Sequence, residues 1–382
     1  MQRRRFLQGA VGGVVAASSA EVARSVLAQA AAQAPAGEAP AAEPKAASTL
    51  RGVNLGSWLV LEKWMVPSVF RGAKAGDEFG LCSELGAGAA ARLSAHRESF
   101  ITAEDFRWIK ARGLNAVRLP VGYWALQAPA PFVECSKLVD FAFEQARLNG
   151  LQVLVDLHGA PGSQNGMDHS GRAGELGWHK SAANIEATIV ALEGLAGRYG
   201  QHPSLFGIEL LNEPRWDVPI DILKRFYQDA YQRLRPLLPK SAVIVIHDAF
   251  RPFEWKGFMT EPGYANVMLD THLYQAYTDA DRKRTPQEHI IEALGKKQHL
   301  DAMAQQLWTM VGEWSLGTPG EVWRGLSPLQ VQAGKRAYGD AQLLSYEASK
   351  GWFYWSYKLE SDSDWNFRTA VERGLLPNRF DA

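Results

Sequence analysis

Cysteine is nearly absent. Cys82 and Cys135 are the only two in 382 residues, too few for a disulfide framework or a thiolate zinc site. The count is compatible with one bridge or with two buried thiols. Net charge is absent too: 41 Lys and Arg balance 41 Asp and Glu, so nothing in the charge points to a polyanionic partner such as nucleic acid. No Walker loop, no dinucleotide glycine fingerprint and no basic stripe occurs, and no cofactor is expected. Long apolar runs are missing as well. The stretch Gly9 to Ala20 is too short and too glycine-rich to span a bilayer. What is present is an ordinary globular composition, 46% hydrophobic and 21% charged, with 13 tryptophans. Most of those rings belong in a core, but flat rings also suit sugar faces.

Residues 1–30 have the character of an export signal. Met1 to Gln8, M-Q-R-R-R-F-L-Q, resembles a twin-arginine start, and Ala28-Gln29-Ala30 fits a small-residue cleavage site. An ordinary secretory signal is the alternative. The protein is therefore expected outside the cytoplasm, in a periplasm or beyond the cell. Ala31 to Ala47 is an Ala/Pro-rich linker without periodicity. From Thr49 onward, strand-like and helix-like segments alternate. Strands are expected at Arg51–Leu55, Asn115–Leu119, Gln152–Leu157, Leu205 onward, Ala242–His247, Asn266–Leu273, Met310–Trp314 and Trp352–Tyr357. Helices are expected at Thr102–Arg112, Ser136–Asn149, Asn184–Tyr199, Ile220–Arg235, Pro286–Gln306 and Leu329–Lys350, several with cap residues and a closing glycine. Eight strands with mostly helical crossovers predict an α/β fold, a single (β/α)8 TIM barrel over residues 49–382. A doubly wound open sheet is the alternative, but it ordinarily has fewer strands or a nucleotide fingerprint.

The segment Leu205–Pro214, L-F-G-I-E-L-L-N-E-P, organises the rest. Its apolar run is bounded by Pro203 and Pro214, as in a parallel strand covered on both faces. That places Asn212 and Glu213 at the carboxyl end of the fourth strand, the face where such barrels carry catalysis. Glu313 ends the seventh strand in the same way. Polar residues recur at the other strand ends: Arg118, His158, His247-Asp248, His272 with Tyr274, and Trp355. Taken singly, His247 reads as a satisfied structural histidine, Arg118 as a buried ion-pair partner and Trp355 as core. Taken together they describe a shared site. Two facing carboxylates are what glycosidic cleavage needs, one to protonate the leaving oxygen and one to attack the anomeric carbon. Arg118 and the Tyr274 hydroxyl would hold Glu313 ionised. Its negative charge would help Glu213, beside neutral Asn212, to keep a proton. Glu213 is thus expected as acid/base and Glu313 as nucleophile, with carboxyls roughly 5–5.5 Å apart in a retaining enzyme.

These residues make the chain similar to glycoside hydrolase family 5, whose recurrent set matches Arg118, His158, Asn212, Glu213, His272, Tyr274, Glu313 and Trp355. It most resembles the exo-β-1,3-glucanase subgroup known from fungi. The matching stretches are R-G-V-N-L-G-S-W-L-V-L-E from Arg51, R-L-P-V-G-Y-W from Arg118, D-L-H-G-A-P-G-S-Q-N-G from Asp156, G-I-E-L-L-N-E-P from Gly207, V-I-H-D-A-F to Phe250 and D-W-N-F from Asp364. The resemblance implies retaining hydrolysis of a β-glucan oligo- or polysaccharide through a covalent glycosyl-enzyme, without metal; a monomer is the expected state. It implies that Asn212 holds the sugar 2-hydroxyl and Trp355 floors the glycone. Glu62 would close the pocket, and His158 and His272 would bind substrate or orient the carboxylates.

The chain departs from that subgroup at a few places. Where the fungal enzymes carry Phe, and then Asn after an Asp, this chain has Met167 and His169. The Phe is half of an aromatic clamp for the leaving sugar, whose other half is matched by Tyr277. Leu316 to Glu321 after the nucleophile is an unfamiliar loop. The other readings are an endo-acting β-glucanase, cellulase or mannanase of the same family, a non-catalytic sugar-binding barrel, and a metal-dependent barrel hydrolase. The last would want a His-x-His pair on the first strand, which Val53 to Gly56 does not offer.

Overall fold

The computed structural model describes residues 49–381. The expected export signal and linker lie outside the described residues. Eight parallel strands close in sequence order: β1 (Leu50–Asn54), β2 (Ala116–Gly122), β3 (Gln152–Gly159), β4 (Leu205–Glu209), β5 (Val243–His247), β6 (Val267–Leu273), β7 (Trp308–Trp314) and β8 (Gly351–Tyr354). β8 pairs back onto β1 through Leu50 and Gly351. The expected closed barrel is the architecture, and the open sheet is not.

The helices are α1 (Glu78–Leu85), α2 (Ala89–Phe100), α3 (Ala103–Ala111), α4 (Ser136–Asn149), α5 (Ala182–Tyr199), α6 (Ile220–Leu234), α7 (Asp279–Lys283), α8 (Pro286–Ala304), α9 (Pro328–Tyr346) and α10 (Phe367–Glu372). Their starts are written in the sequence. Thr102 with Asp105, Thr285 with Glu288 and Ser327 with Gln330 form reciprocal capping boxes, and proline occupies the first turn of α8 and α9. α6 buries Leu223, Phe226, Tyr227, Ala230, Tyr231 and Leu234, a three-and-four spacing that lays one face on the barrel.

Several strand ends differ from expectation: β3 runs on to Gly159, β8 stops at Tyr354, and β2 and β4 differ for reasons the backbone shows. β2 runs to Gly122, past Pro120. In a parallel strand the amide and carbonyl of one residue point to the same neighbour. Arg118 faces β1, where its carbonyl accepts the Leu55 amide, so Pro120 faces that side too. β1 ends at Asn54, and the missing Pro120 donor breaks no ladder bond. β4 instead stops at Glu209. Leu210 and Asn212 still give their amides to Val245 and Leu157, but Glu213 adopts φ +42°. The segment to Pro214 is an irregular extension of the strand.

The strand side chains sort by alternation. Val53, Val117, Leu119, Val153, Val155, Ile208, Ile244, Ile246, Leu269 and Val311 point outward into the core shared with the helices. Leu50, Ala116, Leu154, Val243, Val245, Met268, Met310 and Phe353 fill the lower interior of the barrel. Cys82 and Cys135 are separate buried thiols, which burial pushes up to about 12 and about 11. Among the described residues no helix is long and apolar enough to cross a membrane.

Candidate active site

Two residues beyond the lower apolar layer, the inward positions turn polar. Ala116 gives way to Arg118, Leu154 to Asp156 and then His158, and Met268 to Asp270 and then His272. Arg118 is therefore not a strand-end residue, as expected, but sits low inside the barrel. Its guanidinium is fully buried. It gives Nε to Glu209 (2.8 Å), Nη2 to Asn212 (2.8 Å) and Asp156 (3.1 Å), and Nη1 to Asn54 (2.9 Å) and Glu313 (3.2 Å).

Glu313 reaches this layer through a one-residue slip. On one side of β7, Thr271 and His272 pair with Val311 and Glu313. On the other, Trp352 and Tyr354 pair with Val311 and Trp314. The extra residue is Gly312, so both Gly312 and Glu313 face inward. A side chain at Gly312 would collide with the Asp270 carboxylate, which instead accepts the Gly312 amide at 2.6 Å. Glu313 then accepts from Arg118 on Oε1 and from the Tyr274 hydroxyl on Oε2, at 2.7 Å. Both partners expected for it are in place.

Glu213 stands opposite. His272 bridges the two acids: Nδ1 lies 2.7 Å from Glu213 Oε1 and 3.5 Å from Glu313 Oε2, and Nε2 lies 3.2 Å from Asp270. One oxygen of each acid and a His272 nitrogen all fall within 4.8 Å of one another. Burial disfavours charge on His272, but Glu313 and Asp270 outweigh it and raise the imidazole well above its usual range. The carboxylates beneath are shifted upward. Burial takes Asp156 to about 8 against the pull of Arg118 and Asp270 to about 6, and it raises Glu209.

The supporting residues divide into those at the two acids and those farther out. His158 bonds Asp156 at 2.6 Å and stacks parallel to Trp355 at 5.4 Å. Asn212 lies between Arg118 and His158 Nε2. His169 approaches Glu213 Oε2 at 3.4 Å. Glu62 is buried and accepts the Trp64 indole N–H at 2.8 Å. Trp64 meets Trp365 edge-on, and Trp365 packs on Tyr274 and Tyr277. Glu62 is thereby linked through aromatic rings to the Glu313 partner. Met167 heads the short turn before His169, with its amide on Asn165. His247 is a packing histidine: Nδ1 accepts the Ala249 amide, the ring meets His272 edge-on at 4.5 Å, and burial pushes it well below its usual range. Asp248 braces Thr271 and the Phe250 amide.

Sequence reasoning passed over Asn54, Asp156, Glu209, Asp270, Trp64 and Trp365. A signal for two of them was available. D-x-H occurs at Asp156–His158 and at Asp270–His272, each at inward phase, with the acid two residues below the histidine it holds. In bare geometry, Glu209, Asp270 and His272, or Glu213, His272 and Glu313, could surround a cation. His272 belongs to both groups, lies against the very acids concerned through both nitrogens, and is pushed by them toward its protonated form. A protonated imidazole has no lone pair for a metal, so the donor set fits a proton network better than a metal centre.

The model of the cellulase family, glycosyl hydrolase family 5, matches residues 82–361. The chain belongs to glycosyl hydrolase family 5. It is an O-glycosyl hydrolase of the (β/α)8 type. It is 37% identical over 378 residues to the glucan 1,3-beta-glucosidase of Blumeria graminis, covering 87% of this chain and 88% of that one. It is 40% identical over 376 residues to the probable glucan 1,3-beta-glucosidase A of Emericella nidulans, covering 87% and 90%. Among solved structures it superposes on the rutinosidase from Aspergillus niger with a TM-score of 0.74 at 19% identity, over 86% of this chain and 98% of that one, a likeness of fold.

Proposed function

We propose that this family 5 member is an exported, retaining β-1,3-glucan glucosidase that releases glucose from chain ends. The observation that carries the mechanism is the Glu213–Glu313 pair, with oxygens within 4.8 Å and unlike surroundings. Oxygens that close suit direct attack by a carboxylate, as in a retaining enzyme whose carboxyl groups stand roughly 5–5.5 Å apart. Glu313, held by Arg118 and Tyr274, is the nucleophile. It attacks the anomeric carbon as the glycosidic C–O bond breaks, and Glu213 gives its proton to the leaving oxygen. Water then cleaves the glycosyl ester and returns a proton to Glu213. Trp355, stacked on His158, floors the sugar, and Asn212 faces its 2-hydroxyl. Glu62 with Trp64 walls off the far end, which favours release of single units. Met167 and Tyr277 flank the leaving sugar. The names of the relatives from Blumeria graminis and Emericella nidulans support the β-1,3 linkage, and the arginine-rich start supports export.

The test is the early product profile on a β-1,3-glucan tetramer labelled at its reducing end. Unlabelled glucose with labelled trimer is expected first. Early labelled monomer and dimer would overturn the exo mode while leaving the two-glutamate chemistry standing. Glu313→Gln should leave the fold intact and abolish turnover. Near-normal turnover by that variant would sink the nucleophile assignment.

A further inference from the structure

Glu213 is held between two imidazoles, one on each carboxylate oxygen. His272 takes Oε1 at 2.7 Å. His272 also contacts Asp270 through Nε2, and its carboxylate neighbours raise it well above its usual range against the effect of burial, which favours the form that donates from both nitrogens. Oε1 is therefore an acceptor, and a proton on the Glu213 carboxyl belongs on Oε2. That oxygen is the one His169 approaches, with Nε2 at 3.4 Å.

His169 is fixed in place. It is 2% exposed, meets His158 edge-on at 5.5 Å, and gives its amide to Asp168 Oδ1. The turn that carries it is tied down by the Ser163–Ser170 hydroxyl pair at 2.6 Å and by the Ser170 hydroxyl on the Met167 carbonyl. The titratable groups facing the ring are His158 from β3 and Glu213 from the end of β4. His272 and Glu313 stand behind Glu213, and Asp168 lies on the ring's own turn.

We propose that His169 is a positioning residue for the acid proton of Glu213, holding it on Oε2 and sharing it through Nε2 between the two chemical steps. This rests on Glu213 being the acid/base. In the resting enzyme Glu213 Oε2–H faces the neutral His169 Nε2. During glycosylation that proton passes to the glycosidic oxygen as the C–O bond breaks and the Glu313 ester forms. During deglycosylation Glu213 takes a proton from the attacking water, and the Oε2–Nε2 pair holds it again. A carboxyl whose protonated form gives a hydrogen bond to a neutral imidazole keeps that proton to higher pH than it would alone, so His169 extends activity on the alkaline side.

The experiment compares the full-length protein with His169→Asn and His169→Gln. It records kcat/KM against pH on a β-1,3-glucan oligomer and on 2,4-dinitrophenyl β-glucoside, whose leaving group departs without a proton. On the oligomer, both variants should lose roughly tenfold and move the alkaline limb down by about one pH unit. On the dinitrophenyl substrate the loss should be small. An unmoved alkaline limb, or equal losses on both substrates, would overturn the proposal and leave His169 with a packing role. If the Asn variant does not fold, the Gln variant carries the same test. Glu213→Ala measured alongside separates the two readings. Equal loss by that variant on both substrates would remove Glu213 as acid/base, whereas leaving-group dependence there with no pH shift at His169 would remove only the present inference.

Discussion

The lower and upper halves of the barrel interior are built from the same strands, often from residues two positions apart, yet their physics is opposite. Below, Leu50, Leu154, Met268, Met310 and Phe353 make a dry apolar plug. Above, Asn54, Arg118, Asp156, Glu209, Asp270, His272 and Glu313 are as deeply buried but are ionisable or polar. The plug is stabilised by apolar area removed from water and by packing. The upper layer is tolerable only because each charge is held by an opposite one, and such a network breaks badly when one member is removed. Stability and chemistry are thus stacked along one axis, with the costly groups resting on the cheap ones.

The comparison can be broken from either side. Arg118→Met should have the largest effect. It strands Asp156, Glu209 and Glu313 without their cation, and a loss of about 3–5 kcal/mol in denaturant unfolding is expected together with loss of turnover. A variant that unfolds at the wild-type midpoint would show that the acids need no such partner. Leu154→Ala, two residues below Asp156, should cost roughly 2–4 kcal/mol through the cavity it leaves, while activity per folded molecule stays unchanged. If turnover falls in step with stability there, the two halves are not separable.

Asp156→Asn should be the gentlest change, and its signature is a slope. A carboxyl raised to about 8 binds its proton more tightly folded than unfolded. Its contribution to stability is complete below about pH 4 and is lost as pH rises toward 8. The Asn variant lacks that contribution at every pH, so its stability relative to wild type should improve between pH 5 and pH 8. Parallel curves across that window would mean that Asp156 does not titrate there.

How much of this could be read from the sequence follows from the same contrast. Buried parallel strands are short apolar runs with polar ends, so all eight strands were legible to within a few residues. Glu213, Glu313, His272, Tyr274 and Trp355 stood out because they sit where those runs end. Pro120 hid the end of β2, since its tolerance depends on where β1 stops, a fact of register. α1 and α2 went unseen because G-L-C-S-E-L and A-A-A-R-L-S-A-H-R-E-S-F carry weak apolar periodicity. Asp156, Glu209 and Asp270 looked like interruptions inside apolar runs, because nothing local shows that the interior of a barrel changes character halfway up. His169 was legible as a departure from the fungal pattern. That it faces the second oxygen of Glu213 is a matter of how two loops meet in space.

The slip at Gly312 has a consequence for anyone who would rebuild this barrel. The β1–β2, β8–β1, β4–β5 and β5–β6 ladders run without a register shift, whereas β7 skips a beat just before its glutamate. Deleting Gly312 would restore the rhythm with composition almost untouched, but drop the glutamate into the glycine's own place, where a side chain collides with the Asp270 carboxylate. Grafts from related barrels should therefore be joined below Val311 or beyond Trp314, so that the skipped beat travels with the acid it aims.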